Sequence, residues 1–382
     1  MKKLGIMLFG LCLAAASVFA QVPHSNHVVM VMEENHGYSS VIGSSSMPYL
    51  NSLAQEYGLA TQYYANTHPS IGNYFMLTTG QILTNNDSST ITVTSDNIVQ
   101  HMMSAGKSWK SYAEELPYSG YTGGDVNNYM KHHNPFAYFA DVRNSSNEKF
   151  NLVPFTHFHT DLQNGQLPDF SYIVPDSLHD AHNGSLATAD AWLKENIAPL
   201  LANAEFQQDG LLVIVFDEAA DSDGTRGGGH VAMVVVGPKV RRGYRSTHVY
   251  QHQSTLRLIM SALGMSSFPG AASSAPSMSE FFVSSTSSPN PGVCPMTSTG
   301  VRVCSPASGS TMGSPVTITA GSDAPIGIAS MMVYVDNNAR YTTFTNSVNT
   351  SLSMSAGTHN LVVKAWDHQG HLYTHSLTFK AD

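Results

Sequence analysis

The sequence predicts an α/β/α sandwich followed by a small, immunoglobulin-like β-sandwich, and three observations carry that prediction. Apolar runs without alternation, at Val28 to Met32, Leu211 to Phe216 and Val231 to Val236, with a shorter one at Tyr172 to Val174, suit parallel strands buried on both faces. Segments of helical spacing lie between and after them, at Thr188 to Leu201 and at Ser254 to Leu263, the second stopped by Gly264. Strands alternating with helices make a layered α/β domain. Towards the C-terminus the pattern becomes short alternating segments, Val316 to Thr319, Met331 to Val335, Leu361 to Trp366 and Leu377 to Lys380, with Asp336-Asn337-Asn338 as a turn.

In chain order, residues 1–20 read as a signal peptide. Lys2 and Lys3 precede an apolar stretch from Leu4 to about Ala16, and small residues follow at Val18 and Ala20. The stretch is shorter than the ~20 residues that span a bilayer, so export to the periplasm or medium is expected, without an integral membrane span. The catalytic domain is expected over residues 21–265. From Ser266 to about residue 298 the composition is Ser- and Pro-rich, expected to be a linker, and the β-sandwich takes residues 299–382. Cys294 and Cys304, left once the signal is removed, are expected to pair in an oxidising compartment.

Composition narrows the function classes. The 382 residues carry a formal net charge of -9, and without Lys2 and Lys3 the charge is -11. Duplex nucleic acid is therefore not an expected partner. Eighteen His against 18 Lys plus Arg favour metal or acid/base chemistry.

In open parallel sheets the ligand site lies beyond the carboxyl ends of the strands. Three apolar runs end there in acids: Glu33, Glu34 and Asn35 after the first, Asp217 and Glu218 after LLVIVF, and Asp176, His179, Asp180 and His182 in PDSLHDAH. Each cluster alone reads as a solvated loop or a cap, but three at one edge repel unless a cation or the substrate chemistry requires them. Oxygen-rich ligands suit a divalent Mg, Ca or Mn ion, and the His nearby keeps Zn open. Ser70, after Pro69, is expected to open a helix whose N-terminus favours a phosphate, with Asn73 one turn on as a donor to a phosphoryl oxygen.

The ordered set EEN, HPSIGNY with a later TTG, KHHNPFAYF, PDSLHDAH, FDEAADSDG, GGGHVAMVVVGPKV and YQHQSTLRLI resembles the bacterial phosphoesterase family of secreted acid phosphatases and phospholipases C, over roughly Val22 to Met265. The S-x-x-N pattern with trailing T-G also resembles the nucleophile helix of nucleotide pyrophosphatases, hence an alkaline phosphatase-like fold. The resemblance implies that Glu34, Asn35, Asp217 and Glu218 bind a divalent metal ion, that Ser70 is the nucleophile, and that His133, Asn134, Asp180 and His182 surround the phosphate and supply the general acid. Two departures stand out: Gly72 occupies a position where the family pattern has Pro, and Glu218 one where two-zinc phosphatases have His, which points to a single metal. The implied function is hydrolysis of a small phosphate ester or a phospholipid. A phosphodiesterase or nucleotide pyrophosphatase, and a non-catalytic metal-dependent binder on the same fold, are the alternatives.

Other residues carry blander expectations. His230 and His252 read equally as site or structural His. His157 and His159 would share one side of a strand as structural residues. His359, His368, His371 and His375 are expected on loops and exposed faces, and Trp366 in the core of the β-sandwich.

Overall fold

The computed structural model describes residues 21–282, 294, 296, 299–324, 328–343, 345–367 and 369–382. The expected signal peptide, residues 283–293 of the expected linker, and His368 lie outside the described residues. The chain divides into two compact units, residues 1–285 and 286–382.

The first unit is built on an eight-stranded sheet. Its strands are β1 (Val28–Glu33), β2 (Gly58–Ala60), β4 (Trp109–Ala113), β5 (Leu152–Pro154), β6 (Phe170–Val174), β7 (Leu211–Phe216), β8 (Met233–Val236) and β9 (Arg245–Ser246); β3 (Tyr63–Tyr64) and β10 (Tyr250–Gln251) pair separately. The order is β5-β4-β6-β1-β7-β8-β2-β9. From β5 to β7 every neighbour is parallel, so β4, β6, β1 and β7 end at one edge. The Val231 to Val236 run departs from expectation: its strand β8 is antiparallel to both β7 and β2. A strand buried on both faces gives the same unbroken apolar signal in either direction.

β1, β6 and β7 are buried along their whole length, which requires cover on both sheet faces. Two helix pairs supply it: Pro48–Glu56 packs on Leu186–Ala202, and Ile71–Thr79 on His252–Ala262. Asp190 ties the first pair, its carboxylate accepting from the backbone N–H groups of Tyr49 and Leu50 at 2.9 and 2.8 Å. This is the α/β/α sandwich expected.

The linker begins later than expected. Ala272, Met278, Phe281 and Phe282 belong to the first unit's core, and two 3-10 turns, Gly270–Ser273 and Ser279–Phe281, hold them there. Four apolar side chains dispersed among Ser and Pro suffice to anchor this stretch, although its average composition reads as linker.

In the second unit a three-stranded sheet, Gly300–Ser305, Val316–Asp323 and Ser347–Leu352, accompanies a five-stranded one containing Ile328–Val335, Gly357–Asp367 and Leu372–Ala381. Asp336 and Asn337 take φ of 52° and 65° in the expected hairpin turn. Period-two alternation buries Leu361, Val363 and Ala365, leaving Val362, Lys364 and Trp366 on the opposite face; Trp366 is therefore half-buried and outside the core, contrary to expectation. His359 is buried instead of exposed, with Nδ1 2.6 Å from Asp336 and Nε2 2.8 Å from the Ser355 carbonyl. Cys294 and Cys304 form the expected disulfide, with Cα atoms 5.4 Å apart.

Candidate active site

The acids converge because parallel neighbours end together. β1 delivers Glu34, β7 delivers Asp217 and Glu218, and the loop after β6 delivers Asp180. Backbone hydrogen bonds lock the three ends: Glu34 N–H donates to the Asp180 carbonyl at 2.7 Å and Asp217 N–H to the Glu33 carbonyl at 2.9 Å. Asp217 Oδ1 in turn accepts from the N–H groups of Asn35 (3.1 Å) and Glu218 (2.6 Å). Asn35 adopts φ 55°, and its side-chain amide donates to Glu34 Oε2 at 3.3 Å.

Ser70 meets these acids from the other side. It is the N-cap of the helix Ile71–Thr79, which ends in left-handed Gly80 (φ 68°), and its Oγ lies 3.2 Å from both Glu34 Oε2 and Glu218 Oε1. The helix N-terminus is less open to a phosphate than expected, since Ile71 N–H donates to Asp87 Oδ1 at 3.0 Å and Gly72 N–H to the Pro69 carbonyl at 3.4 Å. Gly72 itself is required by packing: a Cβ there would stand 2.4 Å from Asn85 Oδ1 and 2.5 Å from Thr67 Cγ2. The Asn73 amide lies within the site, its Nδ2 3.5 Å from Glu218 Oε2. Its Oδ1 accepts from the N–H groups of Asn66 and Thr67 at 2.9 and 3.2 Å, and its Nδ2 donates to the Thr67 carbonyl at 2.8 Å, so it braces the turn that carries Ser70.

His133 lies between two acids, Nε2 3.2 Å from Glu34 and Nδ1 3.1 Å from Asp180, with its ring stacked on Tyr74. Burial, then the proximity of His182, pushes its pKa down to about 3, so it is neutral across the usual pH range. Asn134 is buried beside it but turned away, its Oδ1 accepting from Ser111 at 2.9 Å. His182 is exposed, 5.9 Å from the His133 ring centre to centre. Asp176 and His179 are not brought to Ser70; with Glu114 they form a separate cluster in which His179 Nδ1 lies 2.9 Å from Glu114 Oε2 and Trp192 donates to Glu114 Oε1.

Tyr74 and Glu33 were not singled out in the sequence as contributors, and His68 only as the residue before Pro69 that fixes the approach to Ser70. Tyr74 donates to Glu34 Oε1, and its spacing of four from Ser70, one helical turn, was the available signal. His68 places Nδ1 2.8 Å from Glu218 Oε2 and Nε2 3.1 Å from the Asp223 carbonyl. Glu33, named only as part of an acidic run, is fully buried. The two ambiguous His are structural: His252 Nε2 donates to the Asp217 carbonyl at 2.6 Å, and His230 stacks between Tyr38 and Tyr64. His157 and His159 lie on the helix Thr156–Gln163, not a strand, because helical spacing continues into the apolar Phe158 and Leu162.

Glu34, Asp180, Asp217 and Glu218 are all buried, and among the described residues none pairs with Lys or Arg. Desolvation raises the pKa of every one; Asp217 adds to the rise of Glu34 and Glu218. Asp217 Oδ2 and both Glu33 carboxylate oxygens are buried without a hydrogen-bond partner. Crowded, desolvated and partly unpartnered oxygens of this kind fit a divalent cation. Three groups of described side chains have ligand atoms close enough for one: Glu34 with His133 and Asp180, His68 with Glu218 and Asp221, and the Glu114 cluster.

Comparisons with known proteins place the chain among characterised families. Residues 44–266 match the Phosphoesterase family, and residues 300–363 match the bacterial Ig domain. The chain is 32% identical to a phosphatidylinositol-3-phosphatase of Mycobacterium tuberculosis over 72% of its own length and 86% of the relative's. It is 30% identical to an acid phosphatase of Aspergillus fumigatus over 66% of its length and 60% of the relative's. A solved alkaline phosphatase superfamily protein from Vibrio parahaemolyticus aligns with TM-score 0.49 at 13% identity, covering 92% of this chain and 83% of the other. The family and its acid phosphatase relatives make the chain a phosphoric ester hydrolase. The chain is a member of the Phosphoesterase family, with a bacterial Ig domain at its C-terminal end.

Proposed function

We propose that the protein is an exported, divalent-metal-dependent phosphomonoesterase of the acid phosphatase type, using Ser70 as its nucleophile. The observation that carries this reading is Ser70 Oγ, held 3.2 Å from acids delivered by two different strands. Glu34, Asn35, Asp217 and Glu218 would hold the cation; as they stand, Glu34 has its ligand atoms grouped with those of His133 and Asp180, and Glu218 with those of His68 and Asp221, so binding would draw the strand ends together. A bound divalent cation offsets phosphate charge and lowers the pKa of a nearby hydroxyl.

The chain's own residues do the rest. Tyr74 fixes the Glu34 carboxylate and His68 that of Glu218, so the two acceptors of the Ser70 proton are held in place. Ser70 Oγ bonds to phosphorus as the bond from phosphorus to the leaving oxygen breaks, giving a phosphoseryl chain and an alcohol. His182, exposed at the rim, donates the proton that the leaving oxygen takes up. Water then attacks the phosphoserine, releasing inorganic phosphate and restoring Ser70. Asn73, His252 and Gly72 position these groups without touching substrate.

Separate observations support the substrate and the location proposed. The mycobacterial relative is a phosphatidylinositol-3-phosphatase, which supports monoesters, lipid-borne ones included, over a phospholipase C cleavage. A disulfide supports an oxidising compartment, and no helix among the described residues is long and apolar enough to cross a membrane. A binder without chemistry has no need to bury a hydroxyl against two acids. The test is Ser70→Ala in the metal-loaded protein: a loss on the order of 10³-fold or more in kcat with metal content retained supports the reading. Residual activity near that of the unaltered chain overturns it.

A further inference from the structure

His182 is exposed, and an exposed imidazole left to itself samples several rotamers and both neutral tautomers. A proton donor must keep one nitrogen for the transfer. The next side chain in sequence supplies that constraint, since His182 Nδ1 lies 3.1 Å from Asn183 Oδ1. An amide oxygen can only accept, so Nδ1 carries a hydrogen in every charge state, and Nε2 is the nitrogen whose proton comes and goes. Among the described residues Nδ1 makes the ring's one hydrogen bond, and Nε2 is uncommitted.

Asn183 is in turn fixed from inside. Its Nδ2 donates to Ser177 Oγ at 3.1 Å and its backbone N–H to the Ser177 carbonyl at 2.7 Å. Ser177 is fully buried, and its own N–H donates to the Asn128 carbonyl at 3.0 Å. With the amide nitrogen drawn to Ser177, the amide oxygen is the atom left facing the ring.

The backbone that carries the pair is equally determined. The Asp180 carbonyl accepts from Glu34 N–H at 2.7 Å, and Asp180 Oδ1 accepts from His182 N–H at 2.7 Å. Between them the buried Ala181 takes φ 77° although it carries a Cβ. A non-glycine residue keeps such a backbone only where its surroundings over-determine it, commonly beside a functional group. On the far side Gly184 passes so close to Leu178 that a Cβ would stand 1.8 Å from its carbonyl oxygen. The loop thus closes on itself and presents His182 and Asn183 together, with the His182 ring 5.9 Å from that of His133, whose Nε2 is 3.2 Å from Glu34.

We infer that Asn183 is a positioning residue for proton delivery to the leaving group: it orients the His182 ring and keeps the hydrogen on Nδ1, so that Nε2 carries the proton to be transferred. The inference rests on the reading of His182 as the general acid. As the bond from phosphorus to the leaving oxygen breaks, the Nε2 proton passes to that oxygen, and the ring is left neutral with its Nδ1 hydrogen still on Asn183. Nε2 recovers a proton from the water that attacks the phosphoserine. A leaving group that departs as a stable anion does without this proton, whereas one that would depart as an alkoxide requires it.

The test uses the full, metal-loaded chain and compares kcat/KM, which covers the step in which the leaving oxygen departs, for p-nitrophenyl phosphate and β-glycerophosphate. Asn183→Ala is expected to lower the glycerophosphate value by roughly tenfold or more and the nitrophenyl value by less than about threefold, since a general acid contributes about 10²–10⁴-fold and a misaligned one loses part of that. Asn183→Asp, which keeps an acceptor on Nδ1, should restore most of the glycerophosphate rate. His182→Ala should show the same dependence on leaving group, and thermal melting controls for folding. If His182→Ala shows that dependence and a folded Asn183→Ala does not, the positioning role is overturned and the general acid stands. If His182→Ala shows none, the general-acid reading falls and the inference with it. NMR of the ring nitrogens in the unaltered chain, at a pH where the His182 ring is neutral, gives a second readout independent of how the variants fold. A hydrogen on Nδ1 supports the proposal, and one on Nε2 overturns it.

Discussion

Ser70 Oγ and Glu218 Oε1 stand 3.2 Å apart although 148 positions separate them in the chain. Glu218 is thereby committed to Ser70 on one oxygen and to His68 on the other, and Glu34 is shared among Ser70, Tyr74 and His133. Glu34 and Glu218, the two acceptors proposed for the Ser70 proton, are thus each held by a second group.

Removing a metal ligand should couple occupancy to activity. Asp217→Asn and Glu34→Gln are each expected to lower metal content and hydrolysis together, as metal analysis on dialysed protein would report. In chelated protein Asp217→Asn should instead raise thermal stability, by on the order of 1–3 kcal/mol, because it removes a buried charge beside Glu34 and Glu218. Full occupancy in both variants removes these residues from the metal.

The same crowding predicts a pH dependence. Burial pushes the Asp217 carboxyl up to about 6 and that of Glu218 up to about 9, both above their unfolded values, so between about pH 4 and those values the folded chain binds more protons than the unfolded one. Stability of the chelated protein is then greatest near pH 4, as far as these groups are concerned, and falls as pH rises. Added metal should flatten the fall by replacing the protons. Melting curves with and without chelator between pH 5 and 8 check this; equal slopes contradict it.

Gly72→Ala tests whether the departure from the family pattern is structural. The added Cβ must displace Asn85 or Thr67, and Thr67 is tied to Asn73 and so to the Ser70 turn. The expected cost is about 1–3 kcal/mol of stability, with a roughly tenfold fall in kcat as Ser70 moves off its acids. An unchanged melt and rate would show that the turn yields freely.

Truncation separates the two units. A chain ending at residue 285 keeps every proposed catalytic group and the whole first core, and should retain its rate on a soluble monoester. One ending at residue 265 loses Met278, Phe281 and Phe282 from that core and should fail to fold. Burying three large apolar side chains is worth roughly 1.5–3 kcal/mol each, a large share of a domain's stability. Inactivity of a well-folded 285-residue chain would assign part of the site to the C-terminal unit.

Much of this was legible in the sequence because burial on both faces writes an unbroken apolar run, and a parallel strand places its next residue at the ligand edge. Glu34 and Asp217 follow from those two facts, Asp180 from the acidic run in the loop after β6, and Ser70 from the Pro-led helix start and the family resemblance. Strand direction at β8 was not legible, since period and composition are the same for either polarity. The role of Asn73 was not either: an amide one turn after a nucleophile reads equally as a phosphate donor and as a brace, and only the positions of the Asn66 and Thr67 N–H groups separate them. His157 and His159 misled because alternate His suit a strand until the flanking apolar positions are weighed. The cluster of Glu114, Asp176 and His179 joins β4 to the loop after β6, a pairing across 62 residues that no local pattern encodes.

The central claim is a covalent bond between Ser70 and phosphorus, and the stereochemistry of hydrolysis tests it most directly. Two successive in-line displacements, one by Ser70 and one by water, restore the original configuration, whereas direct attack by water inverts it. Hydrolysis of a phosphate monoester made chiral at phosphorus by oxygen isotopes, in isotopically labelled water, should proceed with overall retention. Inversion would contradict the phosphoserine route even if Ser70→Ala proved inactive.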